Sequence, residues 1–263
     1  MNILEEIVEY KKEEVQRRRI EKPVSELESL PLFSSPAFSL KRFLLDASKM
    51  GIIAEFKRRS PSKGMINDNA SVSLTTEAYA RSGASGLSIL TDKKSFGGSL
   101  DDMITARIND LPILRKEFII DAYQITETKA YGADAILLIA AILSPQQVKE
   151  FTLNAHELGL EVILEIHDDS ELDHINDGID IVGVNNRNLK TFEVDLQQSV
   201  HLGKHIPNGK IKISESGIHS VKDIQYLKQA GYNGFLIGEN FMKESDPGLA
   251  FMNFVGELNE LQP

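Results

Sequence analysis

The chain has 263 residues and a net charge of −10, with 39 acidic and 29 basic residues and a hydrophobic content of 41%. This composition is ordinary for a globular protein. The negative charge repels nucleic-acid phosphates, and basic residues are dense only between Lys57 and Lys63, so we expect no nucleic-acid role. Without cysteine the chain has no disulfide, thiolate nucleophile or cysteine-based zinc site, which is typical of a reducing compartment.

No segment approaches the roughly 18 apolar residues that a membrane helix needs. The first residues, MNILEEIVEYKKEEVQRRR, carry acidic side chains throughout and lack the apolar centre of a signal peptide. We therefore expect no membrane association and a cytoplasmic location.

The first 50 residues differ in pattern from the rest. Ile3, Leu4, Ile7 and Val8 recur at helical spacing and predict a helix. A connector with proline and serine, EKPVSELESLPLFSSPAFS, predicts irregular structure, and SLKRFLLDASK predicts a second short helix. We interpret residues 1–50 as a helical extension packed on a domain formed by residues 51–263.

From residue 51 onward, short β-rich apolar runs alternate with helix-like stretches. The runs begin near residues 51, 86, 111, 134, 160, 179, 210 and 233. Near-continuous apolar runs are typical of parallel strands buried on both faces, and eight strand–helix units predict a closed (β/α)8 barrel. The alternative, a doubly wound open sheet, usually has fewer units and often a GxGxxG turn, which this sequence lacks.

Polar residues stand where the predicted strands end, the edge at which such barrels carry their chemistry. They are Glu55, Lys57, Lys116, Glu117, Glu165, His167, Asn185, Asn186, Arg187, Glu215 and Glu239. Any one of them could be a solvated charge, but together at one rim they are costly unless they pair or meet a ligand. We expect His167 to be a polar neighbour rather than a catalyst, and Arg58 and Arg59 to be surface or loop charges.

The last two predicted strands are followed by small residues. Ser216, Gly217 and Gly238 would let backbone N–H groups approach an anion, which indicates a phosphate on the substrate. Turn glycines without a ligand are the alternative. The histidines form no HExxH motif, and DHINDGID lacks the spacing of a calcium loop, so we expect no metal site.

These motifs together resemble the indole-3-glycerol phosphate synthases. The matching pieces, in chain order, are IIAEFKRRSPSKG, PILRKEFIID, GADAILLIAAIL, LEIHD, VGVNNRNL, ISESGI and FLIGE. They span residues 50 to 245, and an N-terminal helical extension is also a feature of that family. Relatives often have Asp where this chain has Glu117. The resemblance implies a single TIM barrel that converts 1-(2-carboxyphenylamino)-1-deoxyribulose 5-phosphate to indole-3-glycerol phosphate, carbon dioxide and water, without a cofactor.

The resemblance also implies roles for the charged strand-end residues. Lys116 would be the general acid that protonates the substrate's ketone oxygen. Glu165 would act as a base or stabilise a developing cation. Lys57, oriented by Glu55, would pair with the substrate's carboxylate or assist dehydration. Glu215 would complete the polar ring, and which lysine donates which proton stays open.

The remaining implied roles concern binding. Asn185 and Arg187 would hold the anthranilate end of the substrate. Phe118 would form part of the wall around the aromatic ring, with plain core packing as an equal alternative. Residues 58–65 resemble a lid that excludes water. The phosphate end would be held by Ser60, Ser216, Gly217, Gly238 and the backbone of Glu239.

Three alternative functions remain. Another phosphate-binding barrel enzyme, such as phosphoribosylanthranilate isomerase or the tryptophan synthase α subunit, would share the phosphate end but not the set of lysines with Asn-x-Arg. A Schiff-base aldolase would use one lysine covalently. An inactive scaffold would show a broken polar rim. We expect a phosphorylated small molecule as partner, a monomer or weak homodimer, and no fused isomerase domain.

Overall fold

The computed structural model describes residues 3–261 and contains a closed barrel of eight parallel strands. Each strand pairs with its neighbours in chain order, and the last pairs with the first. This arrangement confirms the predicted (β/α)8 fold and every predicted strand. The strands are β1 (Ile52–Phe56), β2 (Gly86–Leu90), β3 (Ile113–Lys116), β4 (Ala135–Ile139), β5 (Glu161–Ile166), β6 (Ile181–Asn185), β7 (Ile211–Glu215) and β8 (Gly234–Ile237).

Helices surround the barrel and cover both of its ends. They are α1 (Ile3–Glu21), α2 (Val24–Leu27), α3 (Leu40–Leu44), α4 (Val72–Arg81), α5 (Lys93–Phe96), α6 (Leu100–Ala106), α7 (Ala122–Ala130), α8 (Pro145–Glu157), α9 (Gln197–Leu202), α10 (Val221–Gln229), α11 (Glu239–Met242) and α12 (Pro247–Glu260). Two 3-10 turns, Ala140–Ile142 and Asp169–His174, follow β4 and β5. Within residues 3–261, no helix is long and apolar enough to cross a membrane.

Local sequence explains where these helices begin and end. Ser144 caps α8 and forms a capping box with Gln147, while Pro145 occupies the first turn, where its missing N–H costs nothing. The chain leaves α8 through Gly159, whose φ of 73° suits glycine better than any other residue. The prediction that the connector is irregular was partly wrong, because α2 forms a single helical turn directly after Pro23.

Alternation along the strands divides the apolar core in two. In β1, Ile53 belongs to the cluster inside the barrel, whereas Ile52 and Ala54 belong to the layer between strands and helices. Leu40 and Leu44 of α3 join the inner cluster next to the first residues of β2 and β8, so α3 closes the amino end of the barrel.

Helix α1 lies at the opposite, carboxyl end of the barrel. Its Ile7 is 1% exposed and joins the inner cluster. Lys11 on the same helix forms ion pairs of 2.8 Å with Asp92 and 3.0 Å with Glu117, residues that follow β2 and β3. The predicted division into residues 1–50 and 51–263 stays a prediction, and its outer bounds extend beyond the described residues.

Candidate active site

A cavity of about 170 Å³ opens at the carboxyl ends of the strands, beneath α1. It collects every residue to which the resemblance assigned a catalytic or binding role. They are Glu55, Lys57, Ser60, Lys116, Phe118, Glu165, Asn185, Arg187, Glu215, Ser216, Gly217, Gly238 and Glu239. The strand ends therefore converge as expected, whereas the role of each residue stays a prediction.

Lys116, the last residue of β3, lies between two carboxylates from across the barrel. Its Nζ donates to Glu165 Oε2 at 2.7 Å and to Glu215 Oε2 at 3.1 Å. Both glutamates are almost fully buried, while the lysine side chain is 16% exposed toward the cavity. A charged ammonium is thus held at the cavity floor with one side open.

The three groups shift one another's pKa. Burial opposes the charge on Lys116, but Glu165 and Glu215 outweigh it and raise the pKa of the ammonium. Burial also disfavours ionised Glu165, yet Lys116 holds its pKa well below the usual range. For Glu215, burial exceeds the effect of Lys116 and, with repulsion from Glu165, raises the pKa to about 7. Near neutral pH, Glu165 is therefore firmly ionised, whereas the carboxyl group of Glu215 can gain or lose a proton.

A second lysine occupies the end of β1. Lys57 Nζ lies 2.7 Å from Glu55 Oε1, and Ser88 Oγ donates to Glu55 Oε2 at 3.3 Å. Gly238 makes room for this carboxylate, because a Cβ at position 238 would lie 2.6 Å from Glu55 Oε1. Gly238, which was predicted to bind phosphate, therefore has a packing role beside Glu55, and its phosphate role stays a prediction.

Two residues at the end of β6 contact carboxylates in different parts of the cavity, Asn185 at Glu165 and Arg187 at Glu239. Asn185 Nδ2 donates to Glu165 Oε1 at 3.2 Å, and the Arg187 backbone N–H donates to Asn185 Oδ1 at 3.0 Å. The Arg187 guanidinium reaches Glu239 Oε2 at 3.2 Å, on the side of the cavity predicted to bind phosphate. Arg187 thus spans the two ends of the cavity.

His167 follows β5 beside the same carboxylate. Its Nε2 lies 3.0 Å from Glu165 Oε1, but this atom has no well-aligned hydrogen bond to any described residue. Its Nδ1 lies 3.3 Å from Glu171 Oε2. Burial lowers the pKa of His167, and the two carboxylates outweigh that effect and raise it. His167 stands behind Glu165 and is absent from the lining of the cavity, as a neighbour rather than a catalyst would be.

Apolar side chains form one wall of the cavity. Phe118 and Phe96 lie with ring centroids 5.9 Å apart, and Phe118 is only 8% exposed. Phe118 belongs to the inner core cluster and also lines the cavity. The core-packing alternative is therefore observed, whereas contact with a substrate ring stays a prediction. The wall is completed by Ile3, Leu4, Ile7, Leu137 and Ile139.

The opposite wall is built from the small residues after β7 and β8. Ser216 and Gly217 have successive positive φ values of 66° and 75°, which turns the backbone sharply at the cavity edge. Asn186 Nδ2 braces this turn by donating to Ser214 Oγ at 2.9 Å and to the carbonyl of Ser216 at 3.0 Å.

The segment predicted as a lid forms a small antiparallel hairpin. Arg59–Ser60 pairs with Gly64–Met65, and Lys63 reaches Glu239 at 3.5 Å. Arg59 is exposed, as expected of a surface charge. Arg58 lies in the loop before the hairpin, as expected, and it also forms a two-pronged ion pair with Asp102 at 2.5 and 3.0 Å, which was not predicted. This pair anchors the base of the hairpin, because Asp102 belongs to helix α6.

Sequence reasoning missed three contributors to the site. Asn186 was noted as polar, but its bracing role was not seen. Gly183 lies inside β6 facing Glu215, where a Cβ would approach Oε1 to 2.3 Å, and a glycine within a strand is a recognised sign of such close approach. The apolar face of α1 was recognised as helical, but its position over the cavity has no local signal.

Comparisons with known proteins agree with this geometry. A family model described as indole-3-glycerol phosphate synthase matches residues 4–254. The indole-3-glycerol phosphate synthase of Bacteroides thetaiotaomicron is 48% identical over 97% of this chain and 98% of its own length. That of Salinibacter ruber is 40% identical over 98% of this chain and 96% of its own.

Solved structures support the fold alone, because their sequences are distant. Tryptophan synthase subunit alpha from Legionella pneumophila has a TM-score of 0.61 at 15% identity and covers 85% of this chain and 98% of its own. The 3-hexulose-6-phosphate synthase of Salmonella typhimurium has a TM-score of 0.64 at 12% identity, covering 81% and 100%. On the evidence of the family match and the curated relatives, the chain belongs to the indole-3-glycerol phosphate synthase family.

Proposed function

We propose that the cavity converts 1-(2-carboxyphenylamino)-1-deoxyribulose 5-phosphate to indole-3-glycerol phosphate, carbon dioxide and water by acid–base catalysis. As a member of its family the chain is a carboxy-lyase of tryptophan biosynthesis that acts on a phosphorylated small molecule. The observation that carries the proposed mechanism is the position of Lys116. Its ammonium lies between Glu165 and Glu215, with an apolar wall on one side and the Ser216–Gly217 turn on the other.

Ring closure is the step assigned to Lys116. The product keeps the benzene ring but lacks the carboxylate, so the attacking carbon is the ring carbon that bears the carboxylate. As the carbon–carbon bond forms, negative charge develops on the ketone oxygen and needs a proton. Lys116 supplies it, since Glu165 and Glu215 keep the amine protonated. Glu215, with its pKa near 7, can return a proton to the neutral amine.

Decarboxylation then restores the aromatic ring. The carbon–carboxylate bond breaks, carbon dioxide leaves, and the bonding electron pair returns to the ring. Lys57 pairs with the carboxylate before this step, with Glu55 orienting the ammonium. Phe118, Phe96 and the α1 side chains hold the ring against the apolar wall.

Dehydration completes the indole. The hydroxyl group formed from the ketone leaves as water after protonation by Lys57 or Lys116, and a base removes a proton from the adjacent CH2 group. Glu165 is proposed as that base, because it remains a carboxylate and Asn185 and Lys116 fix its position.

The phosphate is assigned to the wall formed by the loops after β7 and β8. Ser60, Ser216, Gly217, Gly238 and the backbone of Glu239 line this end of the cavity. The carboxylate of Glu239 would repel a phosphate, but it is paired with Arg187 and Lys63. Arg187 would therefore support both the anthranilate end and the charge balance near the phosphate.

A Schiff-base mechanism is disfavoured by the electrostatics of the cavity. A lysine that attacks a carbonyl must be neutral, which calls for a lowered pKa. The pKa of Lys116 is raised instead. Borohydride reduction in the presence of substrate should therefore leave the protein unlabelled.

The test of the proposed function is a fluorescence assay for the product with carbon dioxide release measured in parallel. Wild-type protein should form both in equal amounts, and Glu165→Gln should lose about 10²–10⁴-fold in kcat, the usual contribution of a positioned acid or base. Phosphate-ligand binding without turnover by folded wild-type protein would contradict the proposal and favour the inactive scaffold.

We also propose that the chain works as a monomer or weak homodimer in the cytoplasm. The absence of cysteine and the net charge of −10 support a reducing, aqueous setting. Sedimentation at several protein concentrations would test the assembly state.

A further inference from the structure

Three side chains that the catalytic proposal does not use lie together on the surface. Asp169 begins the 3-10 turn after β5, and His201 lies in the last turn of α9 with His205 four residues further on. His201 Nε2 lies 2.9 Å from Asp169 Oδ2, and His205 Nδ1 lies 3.9 Å from Asp169 Oδ1. One donor atom from each residue can be chosen so that all three lie within 4.8 Å of one another.

We propose that Asp169, His201 and His205 bind one divalent transition-metal ion of the zinc class. Two imidazoles and one carboxylate are a recognised donor set for Zn²⁺, with water completing the coordination. At metal–ligand bonds of about 2.0–2.1 Å, tetrahedral donors stand roughly 3.3 Å apart. From the single oxygen Asp169 Oδ1, His201 Nε2 lies 3.0 Å away and His205 Nδ1 lies 3.9 Å away, and these separations bracket that value. Side-chain rotations would complete the donor set.

A single Asp–His ion pair would use only one of the two histidines. Asp169 needs only one imidazolium partner, yet two histidine rings stand beside it with centroids 5.0 Å apart. Two imidazole rings at that distance can share one metal ion with the carboxylate. Among residues 3–261, this is the one group of three such side chains with donor atoms this close.

The segments that carry the ligands are held firmly. Asp168 caps the 3-10 turn by accepting from the Ser170 N–H at 2.9 Å. Helix α9 is fixed through Ser199, whose Oγ and N–H both bond to Asn186 Oδ1. Exposed donors on rigid segments require little reorganisation to bind an ion, and the net charge of −10 favours cations.

A bound ion would join the turn after β5 to α9. The three ligands do not line the catalytic cavity, so the metal should stabilise this rim without entering the chemistry. The proposal is therefore independent of the proposed reaction. It also runs against the sequence-based expectation of no metal site, which overlooked the spacing of four between His201 and His205.

The test is calorimetric titration of the chelator-treated full chain with ZnCl2, followed by CoCl2, NiCl2, MgCl2 and CaCl2. We expect one site, with Ni²⁺ bound more tightly than Co²⁺ and no binding of Mg²⁺ or Ca²⁺. The visible spectrum of bound Co²⁺ should show nitrogen and oxygen ligation. Because neutral imidazoles bind the metal, affinity should fall as the solution is acidified.

Single substitutions identify the ligands. We expect a loss of at least about 10-fold in Zn²⁺ affinity for each of Asp169→Asn, His201→Asn and His205→Asn. Loss of a residue that only supports a ligand already costs about 10-fold in metal affinity, so loss of the ligand itself should cost at least as much. The matched control is His156→Asn, which removes an exposed histidine paired with Asp180 at 2.8 Å but lacking a second histidine. Circular dichroism checks that each variant is folded.

Either of two results would overturn the proposal outright, and a third would reassign the binding to scattered histidines. One is the absence of Zn²⁺ binding by wild-type protein at millimolar ZnCl2. The other is wild-type affinity in the folded His201→Asn, His205→Asn double variant. If the control and the ligand variants weaken binding equally, the metal is held by scattered surface histidines and the site is also refuted.

Discussion

Two lysines of this chain are buried among carboxylates, and only one of them faces the cavity. Lys11 is 1% exposed and contacts Asp92, Glu117 and Glu14 at 2.8 to 3.0 Å. Lys116 contacts Glu165 and Glu215 at 2.7 and 3.1 Å. In both cases burial opposes the charge, and the surrounding carboxylates outweigh burial and raise the pKa.

The difference lies in what surrounds each cluster. The carboxylates around Lys11 are further engaged, for example Asp92 by the Tyr10 hydroxyl at 2.8 Å, and the cluster fastens α1 to the barrel. Around Lys116, Glu215 Oε1 is buried without a hydrogen-bond partner among the described residues. A shifted pKa therefore does not distinguish Lys116, the proposed catalytic lysine, from Lys11, whereas access to the cavity does.

The largest effect that would test this contrast is the loss of activity in Lys116→Gln. Glutamine can still donate hydrogen bonds to the two glutamates but cannot supply a proton. We expect kcat per folded molecule to fall by about 10²–10⁴-fold. Product fluorescence measures the loss, and the exposed Lys149→Gln serves as control. Activity within a few-fold of wild type would remove Lys116 from the mechanism.

Lys11→Gln should have the complementary effect, on stability rather than chemistry. It leaves Asp92 and Glu117 buried without their counter-charge, which typically costs about 3–5 kcal/mol. Urea denaturation should show this loss, while kcat per folded molecule stays within a few-fold of wild type at low temperature. If Lys11→Gln abolished kcat in folded protein, the two lysines would not differ as we infer.

The apolar side of α1 allows a matched pair of isoleucine substitutions. Ile7 is 1% exposed and lines the cavity, whereas Ile20 on the same helix is 81% exposed. Ile7→Ala should cost about 2–5 kcal/mol of unfolding free energy and raise KM, because the wall for the aromatic ring is lost. Ile20→Ala should stay within about 0.5 kcal/mol. Equal effects of the two would show that α1 is not part of the substrate wall.

The pH dependence of stability gives the smallest effect. Folded Glu215 keeps its proton up to a pH of about 7, whereas the unfolded chain releases it near 4.5. The folded state binds more protons in this window, so the free energy of unfolding falls as pH rises from about 4.5 to 7 and is not regained above it. Relative to Glu215→Gln, wild type should lose on the order of 3 kcal/mol across the window. A pH-independent difference in urea denaturation would contradict the raised pKa.

The strands and the residues that line the cavity could be predicted, because both follow from short segments of the sequence. Apolar runs such as GIIAEF, followed directly by Glu55 and Lys57, mark where a strand ends and polar groups begin. Parallel strands then bring all such ends to one rim. The turn at Pro23–Leu27 and the ion pair of Arg58 escaped prediction, because the first is short and the second depends on a distant helix.

The sequence by itself determined the barrel, the polar rim and the small residues at the predicted phosphate end, since periodicity and turn residues act between near neighbours. Only the tertiary structure decided which charges meet. Lys116 pairs with residues that lie 49 and 99 positions away in the chain. Helix α1 lines the cavity, although nothing in its own sequence predicts that position. Closure of the barrel sets these distances, and it leaves Lys116 open to the cavity while Lys11 is enclosed.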